Sequence, residues 1–477
     1  MAQPSQFTKS SALDVSRRAL ADWHFRPGAI HRLIPPWERI AVLREATPLV
    51  DGARAEIEIR KGIFRTKLVA LHRECVPGEQ FVDEQESGPF GSWRHLHRFG
   101  DRASGSTLED RITYVPPFGI VGRVGGGLFR RELERQFAFR HARTREDLRR
   151  HAEFEARFGA ARLRVGVTGA SGLVGRQLCA FLSTGGHDVV RFVRGAARGS
   201  AERTWNPRDA QGGLDPAAVE DLDVVIHLAG EGIADGRWSA ARKQSIRESR
   251  TVGTAAVARA IAAARTKPKV FVSASAIGFY GNRGDERVDE RSAPGTGYLA
   301  DVVTAWEDAT VAARDAGVRT VHARVGVVLS AAGGALAKMR LPFLIGAGGP
   351  IGSGRQGMSW ISLDDLVAGL VFVARNEAIR GPVNLVAPAA LPQREFARVL
   401  GRVLRRPAIA PLPAPVVRIL FGEMGERLLL DGAFVLPSVL GREGFRFAHA
   451  SLEDALRLEL GCLREDAPTA VSAEAAR

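Results

Sequence analysis

Residues able to do chemistry are sparse in this chain. Tyrosine occurs only as Tyr114, Tyr280 and Tyr298, so a phenolic acid or base has three candidate positions. Cysteine occurs only as Cys75, Cys179 and Cys462. Their wide separation leaves no CxxC pair and no zinc-ligand spacing, so neither a disulfide scaffold nor a metal site is expected. The one dense constellation is the turn from Val167 through Thr168, Gly169, Ala170, Ser171, Gly172, Leu173 and Val174 to Gly175. Its glycines recur every three residues. The first permits a tight turn, the second lets backbone approach a pyrophosphate, and the third lets a helix pack on a strand. The helix start that follows offers unpaired N–H groups to an anion. Gly169, Ser171, Gly172, Leu173, Val174 and Gly175 are therefore the expected dinucleotide contacts.

The next apolar segment, Asp188 to Phe192, tests the cofactor type. A site for NAD(H) usually places an acid at that strand's end to hold the ribose 2′-hydroxyl. Here the end carries Arg191, Arg194 and Arg198 and no acid. A guanidinium fork suits a 2′-phosphate, so NADP(H) is expected over NAD(H), with Arg194 as the contact.

These residues need a scaffold, and the pattern of the chain supplies one. After about residue 160, apolar strand candidates (162–167, 188–192, 223–228, 269–273, 319–325 and 383–385) alternate with helical segments at 172–183, 247–264 and 298–316. That alternation predicts an α/β fold, a doubly wound parallel sheet of Rossmann type covered on both faces. Before residue 160 the pattern differs. Segments 53–60, 64–70, 81–86, 92–99 and 106–115 alternate with period two, as half-buried strands do. Pro116, Pro117, Gly119 and Gly122 end the run, and apolar residues from Leu128 to Phe158 then recur at helical spacing. With one or two short helices over 16–33, this predicts an α+β unit. The expected domains are 1–158, 162–400 and a small C-terminal piece at 408–462, with the linker at Gly159-Ala160.

The formal net charge is +14, from 67 basic and 53 acidic residues. The excess lies in both halves rather than in a tail. The densest basic stretch, Arg123 to Arg150, is expected to be a solvated helix face, and no aromatic-and-basic motif points to nucleic acid. There is no run of apolar residues long enough to span a membrane and no secretory leader pattern, so a cytoplasmic protein is expected.

From about 163 to 462 the chain resembles the extended short-chain dehydrogenase/reductase superfamily, and within it the epimerase family related to nucleoside-diphosphate-sugar epimerases. The stretches that carry the resemblance are VTGASGLVGRQLCAFL, DVVIHLAGEGIADGRWS, FVSASAIGFYGNRGDERVDE, RVGVVLS and SWISLDDLV, with a tail from LLLDGAFVLPSVLG onward. More loosely, the first 155 residues resemble the SRPBCC (START/cyclase-like) helix-grip fold through WHFRPGAIHRLIPPWE and the strands before the long helix. That resemblance implies a cavity for an apolar ligand. The epimerase resemblance implies that His227, Leu228, Ala229 and Gly230 line the adenine–ribose side of the cofactor. It implies that Ser273 and Ser275 stand beside the nicotinamide, and that Trp360, Ile361 and Asp364 lie toward a small-molecule substrate. Asp364 could instead cap a helix.

The superfamily's usual Ser, Tyr and Lys set is incomplete. Four residues after Tyr298 stands Val302, and no lysine lies between Lys269 and Lys338. The lysine normally lowers the tyrosine pKa, so standard epimerase chemistry is not expected. Ser275, Tyr280 and Tyr298 remain the catalytic candidates. Two functions follow: an epimerase-like oxidoreductase using NADP(H) with altered acid/base groups, or a non-catalytic NADP(H)-binding sensor or carrier of an apolar molecule. Oligomeric state is not legible.

Overall fold

A computed structural model describes residues 4–116 and 126–463. Pro117, Gly119, Gly122 and Arg123 lie outside the described residues. Seven strands precede the long helix: β1 (Ser5–Leu13), β2 (Ile40–Arg44), β3 (Arg54–Lys61), β4 (Phe64–Val76), β5 (Gln80–Ser87), β6 (Ser92–Arg102) and β7 (Gly105–Val115). They form one antiparallel sheet in the order β1-β7-β6-β5-β4-β3-β2. Along β7, Ser106, Leu108, Asp110, Ile112 and Tyr114 alternate inward, the period-two pattern of a sheet with one covered face. Helices α1 (Arg17–Phe25) and α2 (Ala29–Leu33) follow β1. The edge strands β1 and β2 were not anticipated. β1 is short on apolar residues and gains its identity from its partner, pairing with β7 across about a hundred residues of sequence, while β2 is a run of only five residues.

Helix α3 (Gly126–Phe158) has 33 residues, so it is about 50 Å long at 1.5 Å per residue. That length serves two sheets. Its first half packs Phe137 against Phe7 and His95 of the antiparallel sheet. Its second half packs Phe154 and Phe158 against Phe372 of the following unit. The expected solvated face is correct for Arg130 and Arg149 but wrong for Arg143 and Arg150, which are buried in ion pairs.

The second sheet is parallel: β8 (Arg164–Thr168), β9 (Asp188–Val193), β10 (Glu202–Thr204), β11 (Val224–His227), β12 (Val270–Ala276), β13 (Arg319–Val325) and β14 (Gly381–Leu385). Its order is β10-β9-β8-β11-β12-β13-β14, which reverses direction at β8. This is the doubly wound arrangement whose crevice lies at the carboxyl ends of β8 and β11. Helices α4 (Leu173–Thr184), α5 (Ala240–Ala263), α6 (Tyr298–Asp308) and α7 (Leu363–Arg375) cover it. One core packs Val165, Val167, Ile226, Val272 and Ala323 beneath α4 and α7, and a second packs Val190, Phe192, Val225 and Phe271 on the other face. The helix expected over 298–316 is broken after Asp308. The Thr310 hydroxyl donates to Glu307 O at 2.7 Å and lies 2.9 Å from His322 Nε2, an alternative to continuing the ladder.

The C-terminal residues lean on this unit. Phe434–Val435 pairs with Arg287–Val288, and α9 (Leu452–Glu459) packs on α8 (Gln393–Leu404) within a core that holds Trp360. Among the described residues, no helix is long and apolar enough to cross a membrane.

Candidate functional site

The glycine turn sits where the sheet order reverses. Gly169 adopts φ +67°, and a Cβ there would stand 2.9 Å from Ala229 N and Leu228 C. A Cβ on Gly175 would stand 2.2 Å from Gly169 O, so turn and helix meet at backbone distance. Gly172 opens α4 without a side-chain cap, and a Cβ there would meet only Gly169 O, at 3.2 Å. Ser171 and Gly172 are exposed, while Leu173 and Val174 are half-buried in the first turn. The turn thus presents an uncapped helix start with room above it, which fits a pyrophosphate. Thr168 ties the two crevice loops together: its Oγ1 accepts from Leu228 N at 3.1 Å and from Ala229 N at 3.3 Å.

Arg194 follows β9, is exposed, and forms no ion pair among the described residues. It keeps a free guanidinium at the strand end, as a 2′-phosphate site requires. His227 is fully buried, with Nδ1 2.8 Å from Thr168 Oγ1 and its ring beside Trp205. Burial lowers its pKa to about 4, so it is a neutral strand-end histidine. What this strand end offers the crevice is Leu228, Ala229 and the exposed Gly230 rather than the imidazole.

The catalytic candidates divide. Ser275 Oγ donates to Glu307 Oε1 at 2.6 Å, and Arg324 grips both oxygens of Glu307 at 2.8 Å. Arg324 Nη1 also donates to the Tyr280 hydroxyl at 3.1 Å, and that hydroxyl donates to Asn384 Oδ1 at 2.8 Å. Tyr280 is 0% exposed, and burial raises its pKa despite Arg324. It belongs to a closed buried network and not to an open site. Ser273 is buried, with its hydroxyl on Ala274 O.

Tyr298 stands apart from that network. As the first residue of α6 it lines a cleft of about 440 Å³ with Trp238, Lys243, Gln244, Arg247 and Glu423. Its hydroxyl donates to Lys243 O at 2.7 Å, and Lys243 Nζ lies over its ring, 4.7 Å from the centroid. The ammonium itself is held by Glu423 at 3.0 Å. Burial raises the Tyr298 pKa, and the opposing cations, Arg250 first, do not reverse this. Arg250, whose pKa burial lowers to about 10, bonds Glu231 O beside Gly230. Sequence reasoning missed Lys243 and Arg250 because it sought a cation four residues after the tyrosine. Both come from α5, about fifty residues earlier.

The segment expected on the substrate side is placed elsewhere. Trp360 and Ile361 are core residues. Ser362 caps α7 by accepting from Asp365 N, so Asp364 is not the cap. Asp364 is buried against Arg32 and Arg143 of the N-terminal unit.

The N-terminal interior also departs from expectation. In place of a purely apolar cavity, the covered face of its sheet holds Asp83, His95, His97 and Asp110 beside His72, His24 and His141.

Comparison with known proteins supplies context for this geometry. A model of the NAD dependent epimerase/dehydratase family matches residues 165–385, and a model of a domain of unknown function (DUF1731) matches residues 412–458. An epimerase family protein of Mycobacterium tuberculosis is 46% identical over 292 residues, which is 61% of this chain and 96% of that protein. A crystal structure of a nucleoside-diphosphate sugar epimerase from Corynebacterium glutamicum is 31% identical with a TM-score of 0.80, covering 95% of this chain and 90% of that one. The human epimerase family protein SDR39U1, solved with NADPH, is 35% identical with a TM-score of 0.57, covering 62% of this chain and 98% of that one.

Proposed function

The chain belongs to the epimerase family, and on that premise we propose that it is an NADP(H)-dependent oxidoreductase that reduces a carbonyl group of a small molecule. The observation that carries this reading is the free, exposed Arg194 at the end of β9, beside a glycine turn with room for a pyrophosphate. Gly169, Ser171, Gly172, Leu173, Val174 and Gly175 would hold the pyrophosphate through backbone N–H groups, Arg194 the 2′-phosphate, and Leu228, Ala229 and Gly230 the adenine–ribose side. When bound, the nicotinamide supplies hydride chemistry.

The role of the tyrosine follows from its protonation state. A phenol with a raised pKa stays protonated near neutrality and can give a proton to a carbonyl oxygen. The reverse, oxidation of an alcohol, needs a phenolate, a form that burial of Tyr298 disfavours despite the nearby cations. Tyr298 is thus read as the proton donor, with its hydroxyl leaving Lys243 O for the substrate. Arg247 and Arg250 nearby would orient an anionic or polar group of the substrate. Ser275 and Tyr280 are read as positioning residues, acting through Glu307 and Arg324.

We read residues 1–158 as the SRPBCC-like helix-grip unit, 162–400 as the nucleotide-binding unit and 408–462 as a C-terminal element closing the cleft. The interior of the first unit combines an apolar core, with Trp23, Phe81, Phe99 and Leu108, and the buried His and Asp cluster.

The test is titration of the full chain with NADPH and NADH, followed by NADPH oxidation on a panel of carbonyl compounds and sugar nucleotides. Preference for NADPH with turnover on the panel is expected. Equal affinity for the two cofactors removes the Arg194 assignment, and tight NADPH binding without any turnover favours the sensor or carrier role.

A further inference from the structure

The buried polar cluster of the N-terminal sheet has a geometry that hydrogen bonding alone does not explain. Asp83 on β5 stands directly across from His95 on β6, and His97 lies two residues on, facing the same side. Their donor atoms all lie within 4.8 Å of one another. Asp83 Oδ2 is 3.3 Å from His97 Nε2 and 4.0 Å from His95 Nδ1. Ligand atoms around a tetrahedral ion with bonds near 2.0–2.1 Å are about 3.3 Å apart, so small side-chain rotations would close the set.

The surroundings match what metal-binding histidines need. Each ligand histidine has its other ring nitrogen close to one carboxylate: Asp110 Oδ1 is 2.9 Å from His95 Nε2 and 2.7 Å from His97 Nδ1. The second oxygen of Asp110 is 2.7 Å from His141 Nε2. The His95–Asp110 contact is a hydrogen bond, and such an outer carboxylate fixes the ligand's tautomer and raises its basicity. The free oxygen of Asp83 has His72 Nε2 at 2.8 Å, and His72 Nδ1 is 3.2 Å from Ala53 O. Phe81 stacks on His97 at 4.2 Å and holds its plane. A closed hydrogen-bonded network would be better satisfied than this one. Asp83 Oδ1 and His97 Nδ1 are close to their neighbours but misaligned, and neither makes a hydrogen bond among the described residues.

We propose that Asp83, His95 and His97 bind one divalent first-row transition-metal ion of the zinc class between the N-terminal sheet and α3. Two imidazoles and one carboxylate favour such an ion over magnesium or calcium. The Asp83 side chain keeps 23% exposure, which gives an ion a way in. Three protein ligands leave a coordination position for water or an anionic small molecule.

The full chain, stripped with a chelator, is titrated with cobalt(II) chloride, zinc(II) chloride and, as control, magnesium chloride. One equivalent of cobalt is expected to bind, displaceable by zinc, with visible ligand-field bands and no thiolate charge-transfer band. Magnesium should not compete. His95→Gln and Asp83→Asn should each weaken cobalt binding at least about tenfold, the scale of losing a ligand or its partner. Absence of cobalt uptake at large excess overturns the proposal, as does unchanged affinity in both variants. Should the variants lose their circular dichroism, X-ray absorption of the zinc-loaded wild type decides: two imidazoles and only N/O neighbours support the site, and sulfur or fewer imidazoles overturns it.

Discussion

Arg32 of α2 donates to Asp364 of α7 at 3.1 Å, joining the N-terminal unit to the nucleotide fold through two side chains that are 2% and 7% exposed. Arg32 also grips Asp147 of α3 at 2.6 and 2.8 Å and donates to Gln177 of α4 at 2.8 Å. One guanidinium thus ties together four helices. The Asp364 carboxyl, opposed by burial, is held below its ordinary range by Arg143 and Arg32.

Removing that guanidinium leaves two carboxylates buried beside a smaller counter-charge. Breaking one side of a buried ion pair costs about 3–5 kcal/mol. Arg32→Met is therefore expected to lower the unfolding free energy of the full chain by that order, read as a lower denaturant midpoint. The double variant Arg32→Met with Asp147→Leu should recover part of the loss, because Asp364 then still has Arg143 and no carboxylate is left unpaired. Equal stability of Arg32→Met and wild type in urea unfolding would contradict the role.

Cofactor choice should follow Arg194. Arg194→Ala is expected to weaken NADPH about ten- to a hundredfold, since a charged hydrogen bond is worth roughly 1.5–3 kcal/mol. NADH affinity should stay within about twofold, as that cofactor carries no group for this guanidinium. Fluorescence titration with both cofactors measures the ratio. In the same assay Gly175→Ala should abolish binding of both, because its Cβ would sit 2.2 Å from Gly169 O.

Tyr298→Phe keeps the ring over which Lys243 lies and removes only the proton. If the phenol is the acid, kcat for NADPH oxidation should fall about a hundredfold or more while KM moves little. Tyr280→Phe should instead reduce stability by about 1–3 kcal/mol, since it strips a buried partner from Asn384 and Arg324. A Tyr298→Phe enzyme with wild-type kcat would exclude the phenol as proton donor.

Glu459 predicts a pH dependence. Burial raises its pKa to about 7 from 4.5, with Asp364 adding to the effect and Arg143 opposing it. The folded state therefore holds a proton that the unfolded chain has already released between these values. This contribution to stability is full below about pH 4.5, falls as pH rises, and is gone above about pH 7. Several buried histidines with lowered pKa, such as His151 at about 3, act in the opposite sense, losing stability as pH falls below their unfolded value of 6.5. The clean measurement is the difference in unfolding free energy between wild type and Glu459→Gln from pH 4.5 to 8. It should change by about 3 kcal/mol at most across that window, in favour of the variant as pH rises. A flat difference would show that Glu459 titrates normally.

The sequence alone determined the parallel sheet, the glycine turn and the missing lysine, because each is a local matter. A glycine at φ +67° and an apolar strand buried on both faces are written in a few consecutive residues. Their joint effect is legible without knowing what packs where. Tertiary structure decided the rest. Tyr280 and Tyr298 look equivalent in the sequence, yet one is sealed by Arg324 and Asn384 and the other lines a cleft. Asp364 reads as a substrate-side acid or a cap and is a bolt to Arg32. The Asp83, His95 and His97 cluster was invisible to a search for cysteine spacing, because strand register brings its members together. In each case the deciding quantity is a contact between segments far apart in the chain, or the burial that contact creates. Burial sets whether a carboxyl, imidazole or phenol is charged, and no run of neighbouring residues encodes it.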